Sequence, residues 1–178
     1  MTSSTDISQS DQTQALRGVS RPTLQDFDIR IAADGNWYHE GGLIGRPALV
    51  KLFASVLRRE DDGSYWLVTP VERGRIKVDD VPFIIVAAGF EGVGESQLIT
   101  LKSNVGDEII LGDAHGLVMR AAEGGGDVRP YVSVRPGLEG RLSRPVFYEL
   151  AERSAAGPDG RFGVWSAGRF FALEGDPQ

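Results

Sequence analysis

The chain has 178 residues, 41% hydrophobic and 25% charged, an ordinary balance for one globular domain or two tightly joined halves. Having no cysteine, it can form no disulfide, thiolate nucleophile or zinc–cysteine centre, and a net charge of −6 argues against nucleic acid as a partner. The longest apolar run, Phe83 to Ala88, is far short of the ~20 residues of a membrane span, so no membrane association and a cytoplasmic protein are expected.

Residues 1–20 are rich in Ser, Thr, Gln and Asp, with neither an apolar nor a basic stretch, and are expected to be a disordered polar tail without a signal peptide. Order is expected from about Pro22. Phe27, Ile29 and Ile31 alternate with Asp28 and Arg30, the period of a half-buried strand. Asp34-Gly35 is a tight-turn signal, and Trp37-Tyr38-His39 reads as the returning strand of a hairpin. Arg46-Pro47 opens a helix, with Pro where its missing N–H costs nothing. Leu49, Leu52, Phe53, Val56 and Leu57 form its apolar face, and Arg58 and Arg59 are expected in its last turn.

Further strands are expected at Tyr65–Val71, Ile76–Val78, Leu98–Leu101, Glu108–Leu111, Leu117–Ala121 and Tyr131–Val134. Val81–Ala88 reads as a strand buried on both faces, and Glu123–Asp127 as a loop tip. A second helix is expected from Pro145 to about Ser154, then strands at Phe162–Ser166 and Phe170–Leu173. The two helices begin alike, Arg46-Pro47 and Arg144-Pro145, and the residues after them correspond. Asp62-Gly63 matches Asp159-Gly160, Tyr65 matches Phe162, Thr69 matches Ser166, and Gly74-Arg75 matches Gly168-Arg169.

The expected fold is therefore β-rich α+β: two related helix–strand–strand modules packed with additional antiparallel strands, a novel-type arrangement with an internal repeat. The halves are placed at residues 21–105 and 106–178, forming one compact unit.

Catalytic signatures are mostly absent. Gly92-Val93-Gly94 lacks the third glycine of a dinucleotide fingerprint, and Gly163–Gly168 misses a nucleophile elbow because Val164 stands where glycine is needed. Ser166 is expected to be structural. The two histidines permit a metal site built from His39, Glu40, Asp113 and His115, donors that suit zinc, iron or manganese, although their spacing does not require one. Arg129, Arg135, Arg141 and Arg144, with Arg46, could hold an anionic molecule or acidic partner through guanidinium forks. The plainer expectation is local ion pairing, such as Arg141 with Glu139 or Glu149.

Several stretches resemble a family of bacterial proteins known as domain-of-unknown-function family 1285 (DUF1285). They are Asp28–Glu60 (DIRIAADGNWYHEGGLIGRPALVKLFASVLRRE), Tyr65–Glu72 (YWLVTPVE), Val78–Phe83 (VDDVPF), Asn104–Asp107 (NVGD) and Pro130–Leu150 (PYVSVRPGLEGRLSRPVFYEL). The resemblance implies a novel α+β fold with repeated motifs, no established activity, and a suggested role in signal transduction. It points to Trp37, His39, Arg46, Thr69, Glu72, Asp80, Asn104 and Arg135 as candidate ligand- or partner-binding positions. The short polar N-terminal segment departs from the family's pattern.

The resulting expectation is a non-catalytic regulatory or adaptor protein, without a cofactor, binding a protein partner or small anionic ligand in a groove between its halves. The alternative is a metal-assisted hydrolase acting on an anionic small molecule, which requires the two histidines to meet at one metal.

Overall fold

The structure, a computed structural model, describes residues 23–122 and 125–175; the expected tail, and Glu123-Gly124 of the expected loop tip, lie outside them. The described chain forms consecutive antiparallel triplets of strands. The first comprises β1 (Thr23–Ile31), β2 (Trp37–His39) and β3 (Gly42–Leu43), followed by α1 (Pro47–Ser55). The second comprises β4 (Leu57–Arg59), β5 (Tyr65–Val68) and β6 (Glu72–Val78). The third is β7 (Phe83–Glu91), β8 (Leu98–Ser103) and β9 (Glu108–Ile110), and the fourth β10 (Leu117–Ala121), β11 (Val128–Arg135) and β12 (Leu138–Leu142). After α2 (Arg144–Glu152) come β13 (Ala155–Ala156), β14 (Phe162–Ser166) and β15 (Arg169–Ala172).

Two triplets join into each large sheet, with strand orders β3-β2-β1-β6-β5-β4 and β9-β8-β7-β12-β11-β10. In each, the first strand lies parallel to the sixth, β1 beside β6 and β7 beside β12. The two sheets thus trace the same path, and the α+β fold is built of two related modules. The duplicated helix–strand unit is also present: α1 leads into β4-β5-β6, and α2 leads into the separate three-stranded sheet β13-β14-β15.

Local differences from expectation have tertiary causes. The first helix stops at Ser55 because fully buried Leu57 pairs with Leu67 as a strand residue, which puts Arg58 and Arg59 in β4 rather than in a last helical turn. Leu57 continues the apolar face of a helix and of a strand equally well, so periodicity alone does not separate them. Strand β7 is buried on both faces only at Phe83–Ile85. Its pairing with β8 shifts register at Val86, which is exposed. Strand β12 escaped notice because Gly140 interrupts its alternation; that glycine is buried, and a Cβ there would approach Val134 to 3.1 Å and Ile85 to 3.2 Å.

One core spans both large sheets, drawing Ile31, Trp37 and Leu57 together with Phe83, Leu101, Val132 and Leu150. The β1–β2 turn docks on the second sheet. Asn104 accepts the Ile84 N–H (3.1 Å) and donates to the Gly35 carbonyl (3.3 Å), while Arg141 donates to the Ala33 carbonyl (2.7 Å). Gly35, at φ +86°, sits so close that a Cβ would come within 2.6 Å of Ile84. The third sheet is tied to β8 through fully buried Ser166, whose hydroxyl accepts the Ile99 N–H at 2.9 Å, giving this serine the expected structural role. Among the described residues no helix is long and apolar enough to cross a membrane.

Candidate ligand-binding face

The parallel pair β1–β6 is where the first sheet opens. Asp26 lies beside Arg75 and Arg30 beside Lys77, so four steps along β1 match two along β6, and β1 bulges through Phe27, Asp28 and Ile29. The Phe27 ring fills the space above Gly74, where a Cβ would stand 2.0 Å from it; glycine there is a requirement of close approach. A groove of about 790 Å³ follows β6, with Asp26, Phe27 and Asp28 on one side, Ser64 and Tyr65 on the other, and Arg75 and Lys77 between. A smaller cavity of about 310 Å³, lined by Arg30, Tyr38 and Gly41, shares Asp28 and Lys77 with it.

Burial alternates along β6: Gly74 and Ile76 turn inward while Arg75 and Lys77 are exposed. Neither cation makes an ion pair among the described residues, and neither do Asp26 and Asp28. Their neighbours are paired. Arg30 donates to both carboxylate oxygens of Asp79 (2.9 and 2.5 Å), which raises the guanidinium pKa and holds the Asp79 carboxyl below the usual carboxylate range. Trp66, directly opposite Arg75, lies under Arg73 at 4.6 Å, and Arg73 pairs with Glu60 at 2.7 Å. The Trp66 indole donates to the Ser64 hydroxyl (2.7 Å), and Ser64 in turn donates to Asp62, holding that carboxyl low. The groove therefore offers unpaired charges of both signs beside aromatic surface, an arrangement that orients a small charged molecule. No histidine lines either cavity.

The second sheet carries a counterpart in which the corresponding groups are consumed. Tyr131 of β11 lies opposite Arg141 of β12, as Trp66 lies opposite Arg75, and is covered by Arg120 at 3.8 Å. Its hydroxyl donates to Asp80 (2.9 Å), which also accepts from Arg141 (3.2 Å). Burial first, and the Asp80 bond second, push the Tyr131 hydroxyl pKa up. Arg141 pairs with Asp80 from the interdomain connection, not with the expected Glu139 or Glu149; Glu139 is taken by Arg120 at 2.5 Å.

The eight positions implied by resemblance are scattered. Trp37 is a core residue, 1% exposed and stacked on Phe53 at 6.2 Å between centroids. Thr69 accepts the Glu72 N–H (3.0 Å) in the β5–β6 turn, while the Glu72 side chain is exposed. Asp80 and Asn104 are the junction anchors described above. Arg135 holds Asp107 (2.8 and 2.9 Å) and the Ala54 carbonyl at the end of α1 (2.7 Å). His39 and Arg46 are, like Glu72, exposed, and none of the three lines the groove.

The alternative metal set is not assembled: no three histidine or carboxylate side chains converge among the described residues. His115 faces the Ser133 carbonyl at 2.9 Å, Asp113 is drawn to Arg169, and His39 ends β2 in the first sheet with Glu40 in the turn after it. Both cavities are lined by residues 26–79 alone, so they lie within the first module and not between the halves. Asp26, Asp28, Arg75 and Lys77 were missed. The available signal was the alternation of Arg75 and Lys77 with Gly74, Ile76 and Val78.

Two family models account for nearly all of the described chain. Residues 20–81 match "Domain of unknown function (DUF1285), N-terminal domain", and residues 82–173 match "Protein of unknown function (DUF1285), C-terminal domain". The chain belongs to the DUF1285 family. The first model ends between β6 and β7, where one large sheet gives way to the other. A crystal structure of a DUF1285 family protein from Silicibacter pomeroyi DSS-3 is 40% identical, covers 90% of each chain and superposes with a TM-score of 0.80. A second, from Shewanella baltica OS155, is 30% identical over 71% of this chain and 92% of its own, with a TM-score of 0.54. No curated protein matches the chain.

Proposed function

We propose that this DUF1285 protein is a non-catalytic regulatory or adaptor protein of the cytoplasm, acting in signal transduction by binding a small anionic ligand in the groove along β6. The observation that carries this reading is the exposed, unpaired Arg75–Lys77 pair in a groove of about 790 Å³, within the size range of small-molecule sites. Asp26 and Asp28 across the groove would select against indiscriminate anion binding by requiring a cationic or hydrogen-donating end on the same ligand.

The test is a thermal-shift screen of nucleotides, small anionic metabolites and divalent metals. A ligand at about ten times its Kd raises the Tm of a protein this size by roughly 3–6 °C. The rise is expected to vanish in Arg75→Gln/Lys77→Gln and to persist in His39→Ala. A ligand whose shift survives the double variant would place binding elsewhere and sink this reading.

A further inference from the structure

On the outward face of the second sheet, Arg120 of β10 lies directly opposite Arg129 of β11. Like charges in this cross-strand position repel, so the pair needs counter-charge. Three guanidiniums surround Tyr131 on this face: Arg120 stacks on its ring at 3.8 Å, Arg141 is its cross-strand neighbour, and Arg129 stands one alternation along the same strand. Two carboxylates face them, and both are committed. Glu139 binds Arg120 at 2.5 Å, and Asp80 is shared by Arg141 (3.2 Å) and the Tyr131 hydroxyl (2.9 Å). Arg129 is half-buried, so water solvates it incompletely, and it makes no ion pair among the described residues. Nearby positive charge from Arg120 and Arg129 also pulls against the upward shift of the Tyr131 pKa, which agrees with both guanidiniums lying near its ring.

We propose that Arg120 and Arg129 form a second, independent site that takes a compact oxyanion, a phosphate or carboxylate group, between their guanidiniums. Arg120 is already oriented, clamped between the Tyr131 ring and Glu139, so part of the ordering cost of binding is met before the anion arrives. Arg129 supplies the free fork.

The experiment uses the full chain in an Arg75→Gln/Lys77→Gln background, which removes the groove cations, and compares inorganic phosphate and acetate with chloride at equal ionic strength. The expected result is a Tm rise of roughly 3–6 °C at about ten times the Kd with phosphate, acetate or both, lost on adding Arg129→Gln and kept on adding Arg144→Gln. Which anion acts distinguishes a phosphate from a carboxylate site. In chloride alone, Arg129→Gln is expected to melt no lower than its parent, since it relieves repulsion. The proposal is overturned by no anion-specific rise, by a rise that survives Arg129→Gln, by its equal loss in Arg144→Gln, or by a Tm drop from Arg129→Gln in chloride.

Discussion

The two large sheets share strand order but treat the same kind of cross-strand pair in opposite ways. In the second, Arg141 is bonded to the β1–β2 turn at the Ala33 carbonyl and, with Tyr131, locked to Asp80; in the first, Trp66 lies under Arg73 and its partner Arg75 stays exposed in a groove. The difference follows from where one module reaches the other. The first lends its β1–β2 turn to the second through Ala33 and Gly35, while the second reaches back to the end of α1 through Arg135, away from the groove. Of two similar faces, packing takes Tyr131, Arg141 and Asp80 of one as structure and leaves Arg120 and Arg129 at its margin, whereas on the other Arg75 and Lys77 stay exposed in the groove.

Removing Asp80 breaks the closed face most severely. It is 8% exposed and serves buried Tyr131 and half-buried Arg141, so Asp80→Ala is expected to cost about 3 kcal/mol in urea unfolding, with Arg141 left uncompensated. Next comes Gly74→Ala, in which the new methyl must displace the Phe27 ring, at a cost of about 2 kcal/mol and with loss of the groove's wall. Arg75→Ala sharpens the contrast from the other side. It should change stability by less than about 0.5 kcal/mol, as an exposed unpaired residue, while abolishing ligand shifts.

The smallest effect concerns acid. The folded pKa of Asp79 is depressed by Arg30, so its stabilising contribution is present above the unfolded value near 4 and is lost as pH falls through the folded one. Asp79→Asn should therefore narrow the stability difference between pH 5 and pH 2.5 without flattening it, because Asp62 and Asp159 are depressed as well, by Ser64 and Arg161. A variant with an unchanged pH slope would show the Arg30 clasp to be inconsequential.

The elements were largely legible because they rest on local signals: Asp34-Gly35 turned the first hairpin, and Pro47 and Pro145 opened the helices. The repeat was legible in part. The helix–strand likeness was visible in residue types, whereas the sheet-level likeness of β1–β6 to β7–β12 is carried by strand order, on which side-chain pattern is silent. The groove was not legible at all. It exists because β1 fits β6 with two residues to spare, a property of pairing between distant segments. The resemblance singled out positions such as Asp80, Asn104 and Arg135, whose side chains hold the halves together, which is why they looked important without lining a cavity.

The side-by-side pairing of first and last strands in each sheet also sets an order of events during synthesis. Thr23 finds its neighbour only when Glu72 has been made, and Phe83 only when Gly140 has. Until then each opening triplet carries a bare inner flank, and the closure of a long loop must precede the reward. The N-terminal sheet can close on the ribosome once Val78 has emerged. The C-terminal sheet stays incomplete until most of the chain is out, so the β1–β2 turn is synthesised well before Arg141, the side chain that grips its Ala33 carbonyl.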